Sequence, residues 1–75
     1  MYWINPNNSD MRGGCRAFTA DTSADIQNLP TANKRGVQQG DDVTSCLPCA
    51  KGSTCMVLSP ASYYTLNSSD NWILL

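Results

Sequence analysis

The fold turns on the stretch Ser53–Leu75, STCMVLSPASYYTLNSSDNWILL. It divides into three β-compatible runs, Ser53–Ser59 (STCMVLS), Tyr63–Leu66 (YYTL) and Asn71–Leu75 (NWILL). Pro60-Ala61-Ser62 separates the first two, and the turn residues Asn67-Ser68-Ser69-Asp70 separate the last two. Short connections between short runs specify an antiparallel meander over residues 53–75. With strict pleat alternation, Cys55, Val57, Tyr64, Leu66, Trp72 and Leu74 share one face, and Met56, Leu58, Tyr63, Ile73 and Leu75 share the other. Both faces are then apolar, and a sheet with two apolar faces must be covered on both sides.

Upstream, there is little to cover them with. Met1–Gly14 reads as an extended N-terminal arm: Asn5-Pro6-Asn7-Asn8 is turn chemistry, Gly13-Gly14 is a joint, and Tyr2, Trp3 and Ile4 have no local partner. Two readings of those three side chains stand side by side, a docking segment for another chain or a fold-back onto the chain's own core. Residues 15–75 form a single small domain in this reading. Cys15–Ala20 (CRAFTA) predicts one short strand, and Asp21, Thr22 or Ser23 caps a single helical turn that ends before Leu29-Pro30. Thr31–Asp42, with Gly36 and Gly40, reads as loop. Trp3, Ile4, Phe18, Ile26, Leu29 and Val37 are too few to cover both faces, so the missing cover is expected to be another protein. The fold class is therefore mostly β with much irregular structure.

Size and composition agree. A chain of 75 residues is one domain at most, and so small a core commonly leans on a disulfide, a metal or a partner chain. Asn, Ser, Thr, Asp, Gly and Pro abound and Glu is absent, which is a loop-and-strand composition. The five basic residues, Arg12, Arg16, Lys34, Arg35 and Lys51, are scattered against six Asp for a net charge of −1. Phosphate-tracking proteins need a clustered basic face, so no nucleic-acid partner is expected. The opening MYWINPNNSDMRGG lacks the basic and apolar regions of a secretory signal, and no run of 18 apolar residues exists to cross a membrane. The chain is accordingly expected to be made in a reducing cytoplasm.

Chemistry-bearing residues are few. Cys46-Leu47-Pro48-Cys49 is a CxxC, with Cys55 downstream and Cys15 far upstream. A CxxC is half of a zinc site, and Cys15 and Cys55 would complete a four-thiolate set; a redox pair, disulfides, or small apolar fillers are the other readings. The filler reading leads, and no cofactor is expected. With no His there is no ordinary proton shuttle near neutral pH and no Ser-His or Cys-His pair. Asp41-Asp42 reads as a solvated turn, and Tyr63, Tyr64 and Trp72 as core aromatics before a sugar or base platform. The chain is not expected to be an enzyme.

Two segments carry a resemblance. GSTCMVLSPASYYTLNSSDNWILL (52–75), with a Gly-Ser opening a strand, an aromatic-Leu-Asn turn and a closing Trp strand, is similar to the ends of small structural proteins of tailed bacteriophages, and ADIQNLPT resembles their Asp-x-x-x-Leu-Pro-Thr segment. The resemblance implies a virion component, made in the bacterial host cytoplasm: a capsid decoration, head-fibre or neck and tail accessory protein, partnered by other virion proteins and copies of itself. The expected assembly contacts are Trp3, Ile4, Met56, Leu58, Tyr63, Tyr64, Trp72, Ile73, Leu74 and Leu75. The alternative is a small cytoplasmic zinc-binding mini-domain built on Cys15, Cys46, Cys49 and Cys55.

Overall fold

The computed structural model describes residues 1–5, 14–38, 40–41 and 43–75. It is mostly β: five strands, β1 (Tyr2–Ile4), β2 (Ala17–Thr22), β3 (Thr54–Ser59), β4 (Ala61–Leu66) and β5 (Trp72–Leu74), lie side by side in sequence order in a single sheet. β3, β4 and β5 form the expected antiparallel meander, with Cys55 opposite Tyr64 and Leu66 opposite Trp72. The break between β3 and β4 is tighter than the sequence suggests. Ala61 and Ser62 join β4, and only Ser59-Pro60, joined by a cis peptide bond, is left between the paired residues Leu58 and Ala61.

β2 pairs parallel to β3, with Phe18 beside Cys55 and Ala20 beside Val57. The strand lies two residues later than the expected Cys15–Ala20, because Cys15 and Arg16 are held elsewhere. The Cys15 thiol donates to the Lys51 carbonyl, and the Arg16 N–H donates to Ser53 Oγ at 3.0 Å. A parallel pair needs a crossover between its strands, and residues 23–53 supply it. The crossover begins with a 3-10 helix, Ser23–Asn28, capped by Thr22 as one of the expected caps: the Asp25 carboxylate accepts from the Thr22 N–H at 3.2 Å. A second short 3-10 helix, Val43–Cys46, was not visible in the sequence pattern.

The start of the chain departs from the expectation of a loose arm. Tyr2–Ile4 pairs antiparallel with β2, Tyr2 beside Ala20 and Ile4 beside Phe18, and the Tyr2 ring is buried. Of the two readings of this segment, the fold-back holds for Tyr2, because β2 would otherwise present an unpaired ladder of N–H and C=O groups. The rest of the expected arm, residues 6–13, lies outside the described residues, as does Asp42 of the Asp41-Asp42 pair.

Register places Tyr2, Ile4, Phe18, Ala20, Cys55, Val57, Tyr64, Leu66, Trp72 and Leu74 on one inner face, which is the meander alternation extended through β1 and β2. Phe18 sits at its centre. Its ring meets those of Tyr2 and Trp72 edge-on, each at 6.1 Å between centroids. Leu29 and Cys49 from the crossover close over this face. The crossover is held down by backbone bonds, from Gly36 to the Cys46 carbonyl at 2.8 Å and from Val37 to the Asn28 carbonyl at 2.8 Å. Gly36 has no alternative: a Cβ there would stand 2.5 Å from the Asn28 carbonyl oxygen and 2.6 Å from the Tyr2 hydroxyl.

Phe18→Ala removes the ring that both aromatic contacts share. It should lower unfolding free energy by about 3–5 kcal/mol, measured by urea titration, while Met56→Ala on the opposite face should stay within about 0.5 kcal/mol.

Candidate assembly surface

The same register that fills the inner face assembles the outer one. Trp3 lies beside Thr19, Thr19 beside Met56, and Met56 beside Tyr63, so a single row crosses four strands. Leu58 stands two residues from Met56 along β3, and Ile73 on β5 pairs with Thr65 on β4. None of these large side chains is covered: Trp3 is 38% exposed, Met56 45%, Leu58 52%, Tyr63 42% and Ile73 41%. A depression of about 350 Å³ at the β3–β4 hairpin is lined by Met56, Leu58 and Tyr63 among others. At one end of this face the Asp21 carboxylate lies 3.8 Å from the Met1 ammonium. Thr19 lies between Trp3 and Met56, and Thr54 and Thr65 share the row of Ile73, so the face is one of large exposed apolar side chains interspersed with threonines.

The expected contacts thus divide. Trp3, Met56, Leu58, Tyr63 and Ile73 share the open face, and Leu75 follows them by register, its N–H donating to the Tyr63 carbonyl at 2.8 Å. Ile4, Tyr64 and Trp72 instead pack against the chain's own core. Trp72 is fixed there by its ring contact with Phe18 and by its indole N–H, which donates to the Pro30 carbonyl at 3.0 Å. Leu74 belongs to the inner face by register, yet is 61% exposed because β5 overhangs the core.

Asp70 is a residue whose role the sequence did not reveal. It holds a left-handed backbone conformation in the β4–β5 turn, φ +65°, and its carboxylate accepts from the Ala32 N–H at 2.8 Å, the Asn33 N–H at 3.2 Å and Asn33 Nδ2 at 2.8 Å. Desolvation works to raise its pKa, but these bonds outweigh it and hold the carboxyl below the usual carboxylate range. The turn composition NSSD announced a turn, but nothing in it points to a partner loop some 38 residues away. Asp70 also borders a cleft of about 370 Å³ with Gln27, Lys34 and Trp72. Its hydrogen bonds tie it to the crossover and leave it a structural clamp.

The cysteines do not come together as a metal set. Cys46 Sγ donates to the Val43 carbonyl, Cys49 Sγ to Pro30, Cys55 Sγ to Met56 and Cys15 Sγ to Lys51, four different carbonyls. Among the described residues, no three Cys, Asp, Glu or His side chains form a group that could hold an ion. All four thiols are free, and Cys46, Cys49 and Cys55 are buried. Burial pushes the Cys55 thiol up to about 12 and raises that of Cys49 as well. These are thiols, not thiolates, at neutral pH.

Comparison of the chain with protein-family models, with curated proteins and with solved structures found no match.

Two measurements check this account. Alkylation of the native protein should modify Cys15 first, with Cys46, Cys49 and Cys55 reacting only as the chain unfolds, read by mass spectrometry of the peptides. Asp70→Asn should lower the thermal midpoint at neutral pH. Because the folded-state pKa of Asp70 lies below its ordinary value of 3.8, its contribution is complete above that value and fades as pH falls through the lower, folded value. The gap in midpoint between wild type and variant should close in that acid window.

Proposed function

We propose that this chain is a structural subunit of a tailed-bacteriophage virion, acting through protein–protein assembly and not through catalysis. The observation that carries the assembly half of the reading is the outer sheet face, where Trp3, Met56, Leu58, Tyr63 and Ile73 stand uncovered in adjoining rows. Contiguous apolar patches beyond a few hundred Å² are uncommon on free monomers and mark contact surfaces. The phage setting rests on the resemblance of residues 24–31 and 52–75 to small virion proteins. A capsid decoration, head-fibre or neck and tail accessory role follows from it, with other virion proteins as partners.

The residue chemistry supports the non-catalytic half. The sequence holds no His, Asp70 is spent on the crossover, Asp25 on its helix cap, and burial raises the pKa of the Cys49 and Cys55 thiols.

Met56→Lys and Tyr63→Lys place an ammonium in the middle of the open face. The free chain should remain folded, because both positions are exposed. A charge buried without a partner costs several kcal/mol, so occupancy in purified particles should drop more than about tenfold, read by quantitative mass spectrometry. Wild-type chain missing from purified particles, or variants incorporated at the wild-type level, would refute the proposal.

A further inference from the structure

We infer that copies of this chain join edge to edge, β5 of one copy pairing antiparallel with β1 of the next to continue the sheet. This inference rests on the assembly reading and names a second contact for it, distinct from the apolar face.

The argument starts from which backbone groups are spent. In an antiparallel pair, residues alternate between bonding their partner strand and pointing away from it. Asn5 donates to the Ala17 carbonyl and Asp21 to the Met1 carbonyl, both at 2.9 Å. With the register of β1 on β2, these bonds assign Trp3 to the inward ladder and turn the N–H and C=O of Tyr2 and Ile4 outward. At the other edge, Leu75 donates to the Tyr63 carbonyl at 2.8 Å and Asn67 to the Asn71 carbonyl at 2.9 Å. Ile73 therefore bonds β4, and the N–H and C=O of Trp72 and Leu74 point outward. Among the described residues, no other segment accepts or donates to these outward groups.

The two edges fit each other in direction and in parity. β2 and β3 run together, β1 runs against them, β4 runs against β3, and β5 runs with β3 again. β1 and β5 are thus antiparallel, so a second copy in the same orientation brings its β1 antiparallel to β5. Directly opposed residues in an antiparallel pair share a face. The outward-bonding residues of both edges, Tyr2 and Ile4 on one and Trp72 and Leu74 on the other, all belong to the inner face. Had one edge turned its outer-face residues outward, its hydrogen bonds would have set inner face against outer.

The resulting register places Leu74 opposite Tyr2 and Trp72 opposite Ile4 of the next copy. Leu74, which overhangs its own core at 61% exposure, gains an inner-face neighbour. On the outer face Ile73 meets Trp3, an aromatic–β-branched pair of the favourable kind. Through this pair the row of Ile73, Thr65 and Thr54 in one copy continues into the row of Trp3, Met56 and Tyr63 in the next. Both edge strands are short, three residues each, but β1 and β5 contain no Pro, no Lys and no charge to turn a neighbouring strand away. A two-fold β5–β5 contact would stop at a dimer and leave β1 open, whereas the head-to-tail contact uses both edges and builds a ring or a filament.

Leu74→Pro tests this, since it deletes an N–H that faces the open edge and spares the ladder to β4. Native mass spectrometry and sedimentation of the wild-type chain should show species larger than a dimer. Leu74→Pro should run as the single 8.2 kDa chain with an unchanged circular dichroism spectrum. Trp3→Lys, which blocks β1 and leaves β5 intact, should also run as a monomer. Mixing it with Leu74→Pro should yield a one-to-one heterodimer, because one intact β5 meets one intact β1. The heterodimer's partner test also holds if Leu74→Pro folds poorly, since Trp3→Lys alone must disperse the wild-type assembly while Met56→Lys must not. A wild-type chain that is monomeric at every concentration, a discrete dimer, or an oligomer indifferent to Trp3→Lys would overturn the inference. A chain that associates in this way but is missing from purified particles would overturn the virion reading and leave the edge contact standing.

Discussion

The parallel pairing of β2 with β3 at the middle of the sheet is the constraint from which the rest follows. Strands that run the same way cannot be joined by a hairpin, so the chain must travel back over one face of the sheet before β3 can begin. That return path, residues 23–53, brings Ile26, Leu29 and Cys49 down onto Phe18, Cys55 and Val57. It also decides where the polar residues go. The crossover satisfies its own backbone through bonds such as those from Gly36 to Cys46 and from Cys49 to Thr31, and Asp70 staples its Ala32-Asn33 corner to the β4–β5 turn. A small sheet closed by an irregular lid needs such staples, because the lid has no long helix to bond itself.

How far the sequence revealed this depended on the range of each interaction. Alternation in 53–75 is a local signal, and it placed Cys55, Val57, Tyr64, Leu66, Trp72 and Leu74 on one face as the register does. The Thr22 cap is local too. What was hidden is non-local. Nothing in CRAFTA states that its neighbour is a strand more than thirty residues on, nor that Tyr2–Ile4 will pair beside it. The list of expected contacts therefore mixed two kinds of residue. Trp72, Tyr64 and Ile4 looked as unpartnered as Met56 and Tyr63 until β1, β2 and the crossover supplied partners for the inner face alone.

The cysteines illustrate the same limit from the chemical side. A CxxC spacing is evidence for two thiolates on one ion only if the chain turns so that both sulfurs converge. Here Cys46 closes a 3-10 helix by donating to Val43, and Cys49 points to Pro30 within the core. Cys55 lies on β3 with its thiol pushed up by burial. Each behaves as a small apolar residue with a weak donor. Volume and weak sulfur hydrogen bonds account for all three buried positions, Cys46 also accepting from Arg35 Nη2 at 3.5 Å.

Topology also explains why one face stays bare. A single crossover can lie over one side of a sheet, and the hairpins on either side of it, between β3 and β4 and between β4 and β5, are too short to reach round to the other. The residues that alternate away from the lid are nonetheless large and apolar, from Trp3 through Met56 and Tyr63 to Ile73. A strand facing water on one side would ordinarily carry polar residues there, and β2 does place Thr19 and Asp21 on that side. The apolar choice is concentrated on β1, β3, β4 and β5, where no segment of the described chain can fold over it. Under the assembly proposal, burial of that face comes from another chain. Under that proposal each Å² of apolar surface covered adds about 25 cal/mol of driving force, and for a core this small that would couple the stability of the subunit to its assembly.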